Sequence, residues 1–274
     1  MRLYLKVTNS CNLRCPFCYN SNKNDIFNVD KVEKLLADRR IDTIIFHGGE
    51  PMLYYEKIKD FILKHETFNF EITTNLCYNL TEEKLNILKM CSMATSYSVD
   101  RFHTEKEFSI FKNNMRRVIE QQPVTLLVTL SEEQLSQNPK DLSDTLKELN
   151  PTNITFERLY SDDASEDLYR RTDSYLTELF RLIPKDKNNL YNWMKSAIRY
   201  NNPVFPTRCD ALTIDTDGKI FNCPNLVGKT IHRRKRKECL FCEYYEYCQG
   251  DCNSFNKVCS FPKTTFKKIL EGEL

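Results

Sequence analysis

Residues 2–20 read RLYLKVTNSCNLRCPFCYN. The first six, RLYLKV (2–7), form an apolar run of strand length, rich in residues that suit a pleated surface. They lead directly into a loop where Cys11, Cys15 and Cys18 stand at C-x3-C-x2-C spacing. A loop that follows a strand opens at the carboxyl edge of a sheet, the edge where α/β proteins place their chemistry. Seven more cysteines crowd the last quarter of the chain (Cys209, Cys223, Cys239, Cys242, Cys248, Cys252 and Cys259), and only Cys77 and Cys91 lie between.

The pattern beyond the first strand repeats it. TIIF (43–46), NFEIT (69–73), TSYSV (95–99), VTLLVT (124–129) and NITFERL (153–159) read as further strands. Between them lie amphipathic stretches with start signals: Asn28 before VDKVEKLLADRR, Thr81 before EEKLNILKM, and a capping box at Thr104–Glu107 before FSIFKNNMRRVIE. YEKIKDFILKH and DLSDTLKEL complete the alternation. Six strands separated by helices predict an α/β fold with a parallel sheet, two units short of a complete eight-stranded barrel. Residues 161–200 read as helical, Pro203 and Pro206 punctuate the chain, and ALTIDTDGKIFNC (211–223) reads as a hairpin turning at Asp217-Gly218. The expected division is a barrel-like domain over 1–200, a cysteine-rich domain over 201–265 and a tail over 266–274. The basic run KTIHRRKRK (229–237) admits two readings, a solvated loop and a docking surface for an acidic substrate segment.

Composition narrows the setting. The 274 residues carry 28% charged side chains and a net charge of +2, which gives no bias toward nucleic acid. No apolar run approaches the roughly 20 residues of a membrane span. Met1 leads straight into the first strand with no signal-peptide pattern, so a cytoplasmic protein is expected. Cytosolic thiols stay reduced, and clustered ones there are metal ligands more often than disulfides. Three thiolates can hold three irons of a 4Fe–4S cluster and leave the fourth open. Zinc is the competing reading, although a structural zinc site takes four protein ligands and no fourth lies nearby in sequence.

The stretch CNLRCPFCYN (11–20) resembles the signature of the radical S-adenosylmethionine (SAM) enzymes, partial (β/α)6 barrels whose open iron chelates the amino and carboxylate groups of SAM. Phe17 stands at the aromatic position of that motif, and Tyr19 resembles the position whose backbone touches adenine. Gly48, Gly49, Glu50 and Pro51 resemble the stretch that binds the SAM amino group. Two glycines would let backbone approach a ligand, in a chain with only six, and a carboxylate can accept from an ammonium. ITTNL (72–76) and YSVD (97–100) resemble stretches that contact SAM or face the substrate, which would put Thr74, Asn75, Ser98 and Asp100 on the reactive rim. The SAM carboxylate partner is left open between Arg101 and Arg116.

The carboxyl-terminal cysteines resemble the SPASM extension, which carries auxiliary 4Fe–4S clusters. The resemblance implies Cys239, Cys242, Cys248 and Cys259 on one cluster and Cys209, Cys223 and Cys252 on the other. The second would have an open iron or a non-cysteine ligand such as Asp210. Pro224 stands where sulfatase-maturating relatives have a catalytic aspartate, which argues against that chemistry. Many peptide-modifying relatives begin with a leader-binding module; with a strand starting at residue 2, the substrate is expected to be held by the barrel mouth, by the extension or by a separate partner protein.

Outside these motifs, Cys77 after the third strand reads either as a small buried hydrophobe or as a hydrogen-atom donor to a substrate radical. Cys91 reads as structural, His47 as packing or acid–base, and Trp193 as helix packing. The resemblance implies an enzyme that takes an electron from a donor such as flavodoxin or ferredoxin. It would then cleave SAM to methionine and a 5′-deoxyadenosyl radical and abstract hydrogen from a ribosomally made peptide, with crosslinking, epimerisation or oxidation as outcome. No membrane or nucleic-acid partner is implied. Two alternatives stand beside it: the same chemistry on a small-molecule metabolite, and a non-catalytic zinc- or cluster-binding interaction or electron-transfer protein.

Overall fold

The computed structural model describes residues 1–18, 20, 24–158, 165–204, 211–221, 239, 241–248, 259 and 261–274. Tyr19, Cys209, Asp210, Cys223, Pro224, Cys252 and the basic run 229–237 lie outside the described residues. In chain order the strands and helices begin β1 (Arg2–Thr8), α1 (Val29–Asp38), β2 (Thr43–Gly48), α2 (Tyr55–Lys64), β3 (Asn69–Thr74), α3 (Glu82–Lys89), β4 (Ser92–Tyr97) and α4 (Glu105–Ile119). They continue with β5 (Val124–Leu130), α5 (Glu132–Ser136), α6 (Pro139–Leu149), β6 (Asn153–Arg158), α7 (Glu166–Leu182) and α8 (Asn189–Tyr200). The last are β7 (Ala211–Ile214), β8 (Ile220–Phe221), α9 (Tyr245–Cys248) and α10 (Lys263–Leu270). Short 3-10 turns at Pro51–Tyr54 and Val99–Arg101 follow β2 and β4. Two compact units result. One holds Met1–Leu126 and the described residues of Cys209–Lys229; the other holds the described residues of Leu127–Arg208 and Thr230–Leu274.

In the first unit β1 pairs in parallel with β2, β2 with β3 and β3 with β4. This is the mostly parallel α/β sheet that the alternation predicts. β7 also pairs in parallel with β1, Arg2 opposite Ala211 and Leu5 opposite Ile214, and β8 folds back antiparallel on β7. Strand addition therefore continues past residue 200, where the sequence alone places a boundary. The turn between β7 and β8 is the Asp-Gly turn: Gly218 has φ +83°, and a Cβ there would meet the Lys31 side chain at 2.0 Å.

β1 is buried on both faces. Leu3, Leu5 and Val7 have no exposed surface, and Lys6 and Thr8 are buried as well, as in parallel sheets covered on both sides. Beside β2 and β3, Phe27, Phe46, Phe61 and Phe70 form an aromatic core of edge-to-face and stacked contacts with centroids 5.6–6.5 Å apart. Each such side chain contributes about 1.5–3 kcal/mol by burial. The start signals are realised: Asn28, Thr81 and Thr104 accept from backbone N–H groups three residues on, and Thr104 forms the full capping box with Glu107. β4 begins at Ser92, three residues before the expected start. The added residues Ser92, Met93 and Ala94 are not among the strong strand formers and are drawn in by the ladder to Glu71, Ile72 and Thr73.

In the second unit α7 packs on α6 and α10, and α8 on α10 and β6. Leu176, Leu179, Phe180, Met194 and Phe266 form a core with at most 1% exposure. α10 starts after Pro262, which caps nothing with its side chain; the Asp173 carboxylate substitutes, accepting from the backbone of Thr264 at 2.7 Å and Thr265 at 2.9 Å. Trp193 is 44% exposed, which corrects the expectation that it packs within its helix; Tyr191 holds the buried position instead. No helix of the described residues is long and apolar enough to cross a membrane.

Candidate functional site

The carboxyl ends of β1 to β4 place the predicted rim residues on one edge of the first unit. The loop after β1 is built before any ligand is considered. The Asp25 carboxylate accepts from the Asn9 backbone and side chain, both at 2.7 Å, and from the Thr216 hydroxyl at 3.0 Å. Burial alone would raise its pKa, but these donors and the Lys6 charge hold it below the ordinary range. Lys6, buried on β1, pairs with Asp215 at 3.4 Å. Cys11 and Cys15 are half-buried and Cys18 is exposed; Cys18 N–H donates to the Cys15 carbonyl at 3.0 Å, closing the loop. Burial raises the Cys11 and Cys15 thiols, while the Arg101 charge favours both thiolates.

The glycine pair has a geometric explanation inside the protein. Gly49 N–H donates to the Thr8 carbonyl at 2.7 Å and Glu50 N–H to the Ser10 carbonyl at 2.8 Å. A Cβ on Gly48, at φ +135°, would stand 2.4 Å from the Thr8 carbonyl oxygen, and one on Gly49 would stand 1.9 Å from that of Ser10. The space a side chain would need is filled by the root of the cysteine loop. Glu50 is fully buried. One oxygen accepts from Met52 N–H at 2.9 Å and the Thr74 hydroxyl at 2.7 Å, the other from Asn75 N–H at 2.7 Å. Burial pushes its pKa up against those three donors and the Arg101 charge. Pro51 opens the 3-10 turn and is buried.

After β3 the backbone turns through Leu76 at φ +54°, a left-handed conformation that a leucine adopts only under constraint. The constraint is Asn114 of α4, 6% exposed, whose amide donates to the Leu76 and Tyr78 carbonyls at 2.9 and 2.7 Å. Thr74 and Asn75 are both buried, and the Asn75 amide faces the Cys11 sulfur at 3.7 Å. Cys77 is 8% exposed; its thiol donates to the Glu107 carbonyl at 3.2 Å, and burial pushes its pKa up to about 12. Its carbonyl accepts from the Asn12 side chain. Cys91 is buried at the start of β4, likewise pushed up to about 12 by burial.

The end of β4 brings Ser98, Asp100 and Arg101 together. The Ser98 hydroxyl is buried and donates to the Asp100 carboxylate. The Arg101 Nε is shielded from solvent and has no hydrogen-bond partner among the described residues. Arg116 is exposed in the last turn of α4. His47, opposite Lys6 on β2, packs edge-on against Tyr4. Burial and the Lys6 charge push it down to about 3, so the imidazole is neutral. Phe17 is half-buried.

Four carboxyl-terminal cysteines are described, all in the second unit: Cys248 is buried on α9, and Cys239, Cys242 and Cys259 are half-buried. Cys242 N–H donates to the Cys239 carbonyl at 3.3 Å. Lys263 stays above its ordinary range: burial lowers it, and the charges of Cys259, Cys242 and Cys248 more than offset that. Among the described residues, no three His, Cys, Asp or Glu side chains already converge as ligands of one metal ion.

Asn9, Asp25 and Asn114 lie outside the sequence motifs, yet they hold the loops that carry them. Asn9 and Asp25 are short polar residues of the kind that solvated loops share, and Asn114 lies within a helix.

Residues 5–135, a little under half of the chain, match the radical SAM superfamily. An uncharacterized protein of Archaeoglobus fulgidus is 30% identical over 112 residues, 37% of this chain and 26% of that protein. An uncharacterized protein of Methanocaldococcus jannaschii is 31% identical over 121 residues, 40% of this chain and 42% of that protein. The chain thus spans well under half the length of these curated relatives. Among solved structures, Streptococcus suis SuiB bound to S-adenosylmethionine has a TM-score of 0.59 at 17% identity, over 94% of this chain and 74% of that one. That likeness is one of fold. The donor set of the β1 loop, three thiols with N–H donors from Leu13 and Asn75 at the Cys11 sulfur, fits an iron–sulfur cluster.

Proposed function

We propose that the protein is a radical SAM enzyme with a partial (β/α)6 barrel and a SPASM-like extension, acting on a ribosomally made peptide. The observation that carries the reading is the C-x3-C-x2-C loop standing at the carboxyl edge of a parallel sheet, within the stretch that matches the radical SAM superfamily. Cys11, Cys15 and Cys18 would hold a 4Fe–4S cluster with one open iron. When bound and reduced, such a cluster supplies the electron that cleaves SAM to methionine and a 5′-deoxyadenosyl radical, which abstracts hydrogen from the substrate.

The chain's own residues orient and shield. The Asp25 and Gly48–Gly49 contacts fix the root of the cysteine loop against β2. Glu50 ties the end of β2 to that of β3, so two rim segments move as one. Arg101 places a cation at the rim, where an anionic group of a ligand would be favoured. Ser98 and Asp100 present oxygen acceptors there. Cys77 keeps its proton, as a hydrogen-atom donor must, and points it at Glu107. A low-potential donor such as flavodoxin or ferredoxin is required. The auxiliary clusters proposed on Cys239, Cys242, Cys248 and Cys259 and on Cys209, Cys223 and Cys252 would take up the remaining electron or hold the substrate.

Anaerobic reconstitution tests the reading. About 12 irons per chain and formation of 5′-deoxyadenosine with dithionite and SAM are expected. About two zinc ions, or iron-loaded protein that never yields 5′-deoxyadenosine with any candidate peptide, would sink it.

A further inference from the structure

The Asn75 side chain is a buried polar group anchored at the edge of the sheet. It is 2% exposed. Its oxygen accepts from Cys77 N–H at 2.7 Å. Its nitrogen donates to the Asn12 side-chain oxygen at 2.8 Å and faces the Cys11 sulfur at 3.7 Å, within reach of an N–H···S bond. The backbone of the same residue is fixed by Glu50 at 2.7 Å. Both amide hydrogens are therefore committed, and one lone pair of the oxygen is taken. The flipped amide would set oxygen against the Asn12 oxygen and the sulfur, and nitrogen against the Cys77 N–H, so the network admits one orientation. Cys11 accepts a second N–H, from the Leu13 backbone at 3.4 Å.

Hydrogen bonds to the sulfurs are among the factors that set an iron–sulfur cluster's potential. A donor that partly neutralises a ligand sulfur stabilises the reduced, more negative state and so raises the potential. We propose that Asn75 is a positioning residue for the cluster: its amide donates to the Cys11 sulfur and raises the reduction potential of the cluster held by Cys11, Cys15 and Cys18. The proposal rests on the cluster reading above. It gives Asn75 a role exerted through Cys11, since both of its amide hydrogens are already engaged.

The test is a potentiometric titration of the reconstituted full chain followed by electron paramagnetic resonance. The relevant signal is assigned as the one lost in Cys11→Ala. Asn75→Ala removes the donor. Asn75→Asp keeps the shape and the acceptor for Cys77 but turns a carboxylate oxygen toward the sulfur. The expected result is wild-type iron content with a midpoint potential lowered in Asn75→Ala and lowered further in Asn75→Asp. Unchanged potentials in both variants overturn the proposal. So does loss of the cluster in both with the apoprotein still folded by circular dichroism, because Asn75 is then only a brace. If wild-type protein holds no iron on the three cysteines, the functional reading falls first, and the proposal with it.

Discussion

Cys11 stands among hydrogen bonds, whereas the segments around α9 and α10 that carry Cys248 are built from packed rings. Around the first, Asn75, Leu13, Asp25 and the Gly49 and Glu50 backbone make short directed contacts that fix each atom of the loop's root. Around the second, Tyr244, Tyr247, Phe261 and Phe266 pack with centroids 4.9–6.3 Å apart, and Phe266 is fully buried. Hydrogen bonds specify direction; aromatic burial supplies free energy with little directionality. The amino-terminal loop is thus organised for geometry, and the carboxyl-terminal region for cohesion. That division suits the two clusters proposed above, one on Cys11, Cys15 and Cys18 with an open iron and one on Cys239, Cys242, Cys248 and Cys259 that is closed.

The sharpest way to break this comparison is to remove one amino-terminal sulfur. Cys11→Ala is expected to abolish 5′-deoxyadenosine formation, a loss of at least roughly a thousandfold, and to remove about four of roughly twelve irons. Retained SAM cleavage by chromatography would show that the loop is not the site. Next in size, Phe266→Ala should cost the second unit about 3–5 kcal/mol by calorimetry, as deletions of buried aromatics do. A loss confined to activity would mean the rings serve something other than cohesion. Gly49→Ala should cost about 1–3 kcal/mol, because a methyl group cannot share space with the Ser10 carbonyl. Wild-type melting for this variant would refute the close approach.

The smallest effects are in pH dependence, and they have opposite signs. Glu50, raised by burial, contributes stability that is present below its ordinary value of 4.5 and is lost as pH rises through its folded pKa. Asp25, burial notwithstanding, is lowered by its Asn9 and Thr216 donors. It contributes stability that is present above its ordinary 3.8 and is lost as pH falls through its folded pKa. Melting temperatures across pH should therefore lose the alkaline-side decline in Glu50→Gln and part of the acid-side decline in Asp25→Asn. Parallel profiles for the two variants would contradict these assignments.

Much of the edge was readable because its signals are local. The helix caps at Asn28, Thr81 and Thr104 depend on residues three positions away, and each forms as the sequence predicts. The cysteine spacing is equally local. The glycine pair reads in sequence as letting backbone approach a ligand; in the structure the space a side chain would need is held by the carbonyls of Thr8 and Ser10. Glu50 was expected to receive a ligand's ammonium, and the structure supplies its partners from Thr74, Asn75 and Met52. β7 could not be placed beside β1 from sequence, since the pairing joins residues more than two hundred positions apart. Asn114 gave no signal because its partners, the carbonyls of Leu76 and Tyr78, are backbone atoms that every residue type presents.

Sequence by itself determined the alternation of strands and helices, the caps that start them and the sulfurs available to a cluster, because periodicity and spacing are properties of neighbours along the chain. Tertiary structure alone decided which polar groups brace the cysteine loop, that Leu76 is held left-handed, and that the Asn75 amide faces Cys11. Those choices are hydrogen bonds between strands and loops remote in sequence, and their partners are defined only once the sheet has brought its strand ends to one edge.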